Sequence, residues 1–291
     1  MHEFTFRLND KSLTGAIGPA HGPPLVLLHG VTRCWRDFEA VLPPLAERWQ
    51  IFALDHRGHG GSDRAADYRV ADYAADAIEV LDAHVPAPAI LLGHSLGAMV
   101  AAIVAAERPH RVRALILEDP PGTTLAQGLR KSPFALQFAN MRRLLSSAHS
   151  LETLARDLAA LPVQRPGDGA VVKLGELRDT NALRFLAECL LRLDPGVLDT
   201  LNDGRWLDGL DWFAALPRIT TPTLLLRAEP RLGGMLDSRE ADRIAALIPR
   251  CARVDFGDAG HLIHATMPER MLALLDDFLQ TNTLLPKRTR P

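Results

Sequence analysis

Residues 89–100 read AILLGHSLGAMV, and the rest of the chain is organised around this stretch. An apolar run of strand length precedes Gly-His-Ser-Leu-Gly, and the alanine-rich run that follows predicts a helix over residues 98–107. A Gly-x-Ser-x-Gly pattern between a strand and a helix is typical of a sharp turn that exposes the serine hydroxyl. Gly93 and Gly97 supply positions without Cβ where such a turn crowds the backbone against itself. The pattern predicts Ser95 as a nucleophile, with an ordinary glycine-rich turn as the alternative interpretation.

The composition is that of a globular protein of ordinary charge. The 291 residues allow one large domain or a core with an inserted module, and 47% of them are apolar. A formal net charge of -2 gives no reason to expect a nucleic-acid or membrane partner. The chain shows neither a secretory signal pattern nor an apolar stretch of membrane-spanning length, so we expect a cytoplasmic protein. The three cysteines, Cys34, Cys189 and Cys251, are scattered without metal-ligand spacing, so we expect buried thiols and no metal site.

Apolar runs of buried-strand type alternate with helical patterns along most of the chain. The predicted strands lie at residues 3–8, 12–17, 25–28, 50–54, 89–92, 113–117, 223–227 and 253–256. This alternation predicts an α/β fold, a mostly parallel eight-stranded sheet with helices on both faces. Residues 122–216 carry only helical periodicities, which predicts a helical cap inserted after strand six. The predicted core therefore comprises residues 1–121 and residues 217–291.

Three further polar sites follow predicted strands at their carboxyl ends, where open parallel sheets bind their ligands. Residues 29–32 (HGVT) follow the third strand, and the Val31 N–H is a candidate oxyanion donor. The Leu96 N–H, at the start of the helix, is the second candidate donor. His261 follows the last strand, where its imidazole would take the serine proton and later return it. Asp119 follows the sixth strand.

Four motifs in this order make the chain resemble the α/β-hydrolase family. They read LHG at residues 28–30, LDHRGHGGS at 54–62, GHSLG at 93–97 and GDAGHLIHATMPE at 257–269. The resemblance covers the whole core and implies a serine-nucleophile hydrolase with a helical cap. The cap takes no part in the match, and in this family the cap usually determines the substrate.

The position of the orienting acid departs from the family's usual pattern. The family most often carries this acid after the seventh strand in a Gly-x-x-Asp frame, which here reads AEPR and ends at Arg231. A cation there cannot stabilise the imidazolium that forms in the transition state. Some members use a carboxylate after the sixth strand, so the resemblance implies Asp119 as the acid. The alternatives are Glu229 first, and then Glu118 and Asp237.

A substrate pocket is predicted beside the nucleophile. Its candidate residues come from the loop after the third strand and from one face of a cap helix: His29, Thr32, Trp35, Phe134 and Phe138. Arginines spread through the cap would attract an anionic substrate, although charges spread along helices are usually solvated. These arginines are Arg130, Arg142, Arg143, Arg184 and Arg192.

These residues together predict a serine hydrolase without a cofactor. It would cleave a small-molecule carboxylic ester, amide or lactone through an acyl-enzyme on Ser95, with His261 as base and Asp119 as orienting acid. A carbon–carbon bond hydrolase of the same fold would keep the same three residues and stays open as an alternative. A hydrolase-fold binding protein without catalysis is the second alternative. Members of the fold that attack with an aspartate are disfavoured, because position 95 is serine.

Overall fold

The computed structural model describes residues 1–122, 128–147 and 150–282. Parts of the predicted cap and of the second core segment therefore lie outside the described residues. The strands are β1 (His2–Arg7), β2 (Ser12–Ile17), β3 (Pro24–Leu28), β4 (Gln50–Leu54), β5 (Ala89–His94), β6 (Val112–Glu118), β7 (Pro162–Gln164), β8 (Val171–Lys173), β9 (Thr223–Ala228) and β10 (Cys251–Phe256).

Eight of these strands form one sheet in the order β1-β2-β4-β3-β5-β6-β9-β10. The β1–β2 and β2–β4 pairs are antiparallel, and the other five neighbouring pairs are parallel. This confirms the predicted mostly parallel eight-stranded sheet. The parallel register brings the carboxyl ends of β3, β5, β6 and β9 to one edge, since Gly93 pairs with both Leu28 and Leu117, and Glu118 pairs with Leu226.

The α-helices of the described residues are α1 (Leu42–Ala46), α2 (Val70–His84), α3 (Leu96–Glu107), α4 (Pro133–Leu144), α5 (Leu151–Ala159), α6 (Thr180–Leu191), α7 (Pro195–Asn202), α8 (Trp212–Ala215), α9 (Ser238–Leu247), α10 (Ile263–Thr266) and α11 (Pro268–Thr281). Helices α2 and α3 cover one face of this sheet, and α1, α10 and α11 cover the other.

Two hydrophobic cores lie on opposite sides of the sheet. Successive residues of β3 alternate between them, because side chains along a strand point to opposite faces. Val26 joins the core with α2 and α3, and Leu27 joins the core with α1, α10 and α11. Both faces are therefore apolar, and β3, β5 and β9 read as continuous buried runs. This burial explains why the sequence predicted these strands well.

The segment between β6 and β9 contains α4 to α7, which form the helical part of the predicted cap. It also contains the antiparallel pair β7–β8, with Val163 opposite Val172. The sequence pattern did not indicate this pair, because each strand has three residues, β7 buries one side chain and β8 buries none. The short helix α8 packs against α3 of the core. The boundaries of the cap stay a prediction.

Within residues 1–122, 128–147 and 150–282, no helix has the length and apolar character needed to cross a bilayer.

Candidate active site

Ser95 lies at the turn between β5 and α3. Its backbone has φ of 55° and ψ of -116°, a conformation that side-chain-bearing residues rarely adopt. Its N–H donates to the Glu118 carbonyl at 2.9 Å. A Cβ on Gly93 would overlap the Gly97 carbonyl, and a Cβ on Gly97 would overlap the Leu28 carbonyl. The two glycines therefore let α3 start directly against the ends of β3 and β5.

His261 and Asp119 form a direct contact at the same edge of the sheet. The His261 Nδ1 lies 2.6 Å from the Asp119 Oδ2. Asp119 is fully buried, and its carboxylate also accepts the Ala228 N–H at 3.1 Å and the Met235 N–H at 2.8 Å. Three donors thus hold one carboxylate in a single orientation. A neutral His261 that donates from Nδ1 has an unprotonated Nε2, which is the state that a general base requires.

The other acids considered from the sequence bind elsewhere. Glu229 caps a short 3₁₀ turn by accepting the Arg231 N–H at 3.2 Å. Asp237 caps α9 by accepting the Glu240 N–H at 2.9 Å. Glu118 binds the His264 imidazole, with 2.9 Å from each carboxylate oxygen to Nδ1. The structure therefore brings Asp119, rather than Glu229, to His261.

His94 connects the serine turn to the His261 loop, a contact that the sequence did not predict. Its Nε2 lies 3.0 Å from the His261 carbonyl oxygen, and the two rings are 4.5 Å apart between centroids. Burial, and then the neighbouring rings of His261 and His264, hold the pKa of His94 well below its ordinary value. A neutral His94 can donate from Nε2 to that carbonyl. The residue before the nucleophile therefore helps to position the candidate base.

The loop after β3 runs close to the nucleophile. A Cβ on Gly30 would lie 3.2 Å from the Ser95 Cβ and 2.9 Å from the His94 Nδ1, so only glycine fits without a shift. Val31 and Leu96 line the same cavity as Ser95. Both predicted oxyanion donors thus belong to residues beside the serine hydroxyl.

Buried histidines fix this loop. The His29 Nδ1 donates to the Gly30 carbonyl at 2.7 Å, and its Nε2 accepts the His56 N–H at 3.1 Å. The Thr32 N–H donates to the His59 Nε2 at 3.3 Å. Burial lowers the pKa of His56 to about 3 and that of His59 to about 4. These rings are neutral at pH 7, and each can donate from one nitrogen and accept at the other.

The cavity over Ser95 is narrow and lined by apolar side chains. Leu129, Phe138, Leu201 and Trp206 of the cap segment line it, together with core residues that include Met235. Its free volume is about 20 Å³, close to the space of one water molecule. The Met235 Sδ lies 3.9 Å from the Ser95 Oγ, so Met235 covers the serine with its side chain and binds Asp119 through its backbone.

The predicted pocket residues lie in different surroundings. Phe138 lines the cavity, whereas the other four predicted residues are not part of its described lining. His29 and Thr32 are held in the histidine network described above. The Trp35 N–H donates to the Asp55 Oδ1 at 2.7 Å, and the Trp35 side chain packs on the opposite core. Phe134 packs against the hydrophobic core that contains α2 and α3.

Several cavity residues had no signal in the sequence. Leu129, Leu201, Trp206 and Met235 are apolar residues in segments without a motif. The one sequence feature near them is the Gly233-Gly234 pair that precedes Met235. A Cβ on Gly234 would lie 2.7 Å from the Ala228 carbonyl oxygen, so the backbone passes close to the end of β9 there.

Comparisons with known proteins identify the family of this chain. A family model described as alpha/beta hydrolase fold matches residues 23–268. The chain is 37% identical over 265 residues to a 2-(acetamidomethylene)succinate hydrolase of Mesorhizobium japonicum, covering 89% of this chain and 88% of the relative. It is 29% identical over 262 residues to a pimeloyl-(acyl-carrier protein) methyl ester esterase of Nitrosomonas europaea, covering 88% and 95%. The crystal structure of an E-2-(acetamidomethylene)succinate hydrolase has a TM-score of 0.74 at 23% identity, over 96% of this chain and all of that one, which indicates a shared fold.

Proposed function

The chain belongs to the α/β-hydrolase family, and from this premise we propose that it is a cofactor-free serine hydrolase of small carboxylic esters, amides or lactones. The named relatives are hydrolases, and one of them is an esterase. The observation that carries the proposal is the 2.6 Å contact between the His261 Nδ1 and the buried Asp119 carboxylate. A carboxylate at this position orients the imidazole and stabilises the imidazolium that forms when the imidazole takes the serine proton.

The first half of the proposed reaction forms the acyl-enzyme. The His261 Nε2 accepts the Ser95 proton while the Ser95 Oγ attacks the substrate carbonyl carbon. The carbonyl oxygen becomes an oxyanion, and the Val31 and Leu96 N–H groups donate hydrogen bonds to it. Removing one such donor typically raises the barrier by about 3 kcal/mol. Asp119 stabilises the imidazolium, which then protonates the leaving group as the carbon–oxygen or carbon–nitrogen bond breaks.

The second half releases the acid. His261 is neutral again and takes a proton from water, whose oxygen attacks the acyl carbon. The collapse of the second oxyanion breaks the bond to the Ser95 Oγ, which regains the proton from His261. Every group used in these steps belongs to the chain, the substrate or water.

The Ser95→Ala variant tests the proposal most directly. We expect it to abolish turnover of a p-nitrophenyl ester, measured as p-nitrophenolate release, because no other nucleophile stands at the turn. Unchanged activity in this variant would exclude the mechanism.

Covalent labelling separates the proposed enzyme from a hydrolase-fold binding protein. A fluorophosphonate probe reacts with an activated serine, so we expect it to label the wild-type chain and not Ser95→Ala. A folded wild-type chain that stays unlabelled would favour a binding protein. Turnover of a vinylogous diketone in place of esters would favour the carbon–carbon bond hydrolase.

A further inference from the structure

The wall that the cap segment presents to Ser95 consists of aliphatic and aromatic side chains without charge in the described residues. Leu129, Phe138, Leu201 and Trp206 are each at most 6% exposed, so their side chains are closed in around the cavity. Met235 completes the wall from the core side. Among the described lining residues, Ser95 carries the one hydroxyl. A substrate group beside these side chains would therefore lose contact with water.

Two of the five cap arginines named above form ion pairs with acidic residues of the cap segment. Arg142 binds Asp199 through two hydrogen bonds, at 2.7 Å and 3.1 Å. Arg184 forms ion pairs with Glu152 at 3.4 Å and Glu188 at 3.8 Å. None of the described residues that line the cavity carries a positive charge.

We infer that this cavity accepts an uncharged, apolar acyl group and excludes acyl groups that end in a carboxylate. The inference rests on the proposed function and specifies its substrate class. An ionised carboxylate placed against this wall would lose its hydration without gaining a charged partner among the described lining residues. An alkyl group of the same shape gains from leaving water.

Two esters of equal acyl size test the inference in the wild-type protein. p-Nitrophenyl 5-methylhexanoate ends in an isopropyl group, and mono-p-nitrophenyl glutarate ends in a carboxylate of the same shape. We expect kcat/KM to favour the neutral ester by at least about 100-fold, because the anionic ester must bury an unpaired charge. Spontaneous hydrolysis is measured with Ser95→Ala and subtracted.

Variants of the wall test whether these side chains define the acyl site. Leu201→Ala and, separately, Phe138→Ala should open the narrow cavity. Each should raise kcat/KM for p-nitrophenyl octanoate relative to the butanoate by about tenfold. Leu154→Ala is the matched control, since Leu154 is fully buried in the same cap segment but is outside the described lining. Its chain-length preference should equal that of the wild type.

Each outcome decides between the inference and the proposed function. Equal or faster turnover of the glutarate ester would overturn the inference and leave the serine mechanism intact. Labelling by a fluorophosphonate without turnover of either ester would also count against the inference. Loss of both labelling and ester turnover in folded wild-type protein would overturn the proposed function itself. An unaltered chain-length preference in both folded wall variants would remove these side chains from the acyl site.

Discussion

Three residues around the site have a backbone conformation that normally favours glycine. Among the described residues other than glycine, only Thr32, Ser95 and Asp119 have positive φ, at 64°, 55° and 43°. They belong to the loop after β3, the turn after β5 and the end of β6. Such conformations cost about 1–3 kcal/mol each and persist only where the surroundings enforce them. Their coincidence at one edge of the sheet supports the assignment of the site.

Asp119 is expected to act by holding the tautomer of His261. Asp119→Asn replaces one carboxylate oxygen by an NH2 group, which donates and cannot accept the hydrogen bond from the His261 Nδ1–H. We expect kcat for a p-nitrophenyl ester to fall by about 10⁴-fold with little change in KM. Circular dichroism checks that the variant folds. Glu229→Gln is the matched control and should retain activity, because Glu229 only caps a turn. A larger loss in Glu229→Gln than in Asp119→Asn would make Glu229 the acid.

A buried cluster of charges lies beneath the site. His264 binds Glu118 through Nδ1, and its Nε2 lies 3.4 Å from the Asp37 Oδ2. Arg33 donates to the other oxygen of Asp37 at 2.7 Å. Burial alone would lower the pKa of His264, but the Glu118 and Asp37 carboxylates outweigh it and raise the pKa to about 10. His264 is therefore an imidazolium at pH 7.

The raised pKa of His264 predicts a stability that depends on pH. Unfolded histidine has a pKa of about 6.5, so the folded state binds the proton more tightly. The stabilisation is complete below about pH 6.5 and is lost as the pH rises towards 10. We therefore expect the free energy of unfolding of wild type to exceed that of His264→Gln most at pH 6, and the difference to shrink by pH 9.5. Urea titrations at both pH values measure it, and a constant difference would contradict this role.

At the scale of elements, the crossing of α3 over the sheet positions the nucleophile. Gly97 in the first turn of α3 contacts the carboxyl end of β3 through backbone atoms. The atoms that a Cβ on Gly97 would meet are backbone atoms of Leu28 and His29, so no side-chain rotation can make room for it. The closeness of helix and strand, rather than the flexibility of glycine, is therefore the reason for Gly97.

Gly97→Ala should consequently destabilise the fold. Its Cβ would overlap the Leu28 carbonyl, and the resulting displacement of α3 should lower the free energy of unfolding by about 3 kcal/mol. We expect ester hydrolysis to fall with it, since Ser95 precedes α3. Gly128→Ala is the control, because a Cβ there meets no described atom within 4 Å and φ is -106°. Equal unfolding midpoints in urea for the two variants would refute the steric explanation.

At the scale of the whole molecule, a polar contact ties the cap segment to the core. The Tyr68 hydroxyl donates to the Asp194 Oδ2 at 2.8 Å, and the Asp194 N–H donates to the Gly58 carbonyl at 2.8 Å. Asp194 also caps α7, the helix that carries Leu201. The loop after β4 thus holds one end of a helix that lines the cavity.

Removing the Tyr68 hydroxyl should weaken this tie. We expect Tyr68→Phe to lower the free energy of unfolding by about 2 kcal/mol, because the hydroxyl binds a carboxylate away from bulk water. Tyr73→Phe is the matched control, since the Tyr73 hydroxyl is buried and has no hydrogen-bond partner among the described residues. Removing the Tyr73 hydroxyl should leave the free energy of unfolding unchanged or raise it. A Tyr73→Phe variant as unstable as Tyr68→Phe in urea would argue against the tie.

Local sequence patterns were sufficient to predict an element when the residue types of that one segment are restricted by its own burial or backbone geometry. The strands buried on both faces read as apolar runs, and the turn at Ser95 needs glycine on both sides. The β7–β8 pair was missed because two three-residue strands bury too few side chains to leave a pattern. The site's candidate acid stayed open for a different reason, since Asp119 and Glu229 both follow parallel strands and only contacts distinguish them.

The sequence by itself determined the α/β alternation, the serine turn and the histidine loop, because backbone crowding and two-sided burial restrict residue types locally. Tertiary structure alone decided that Asp119 meets His261, that His94 supports the His261 loop, and that Leu201, Trp206 and Met235 enclose the serine. These contacts join segments more than a hundred residues apart. Any apolar residue can pack there and any loop carboxylate can accept a proton, so only the three-dimensional arrangement selects among them.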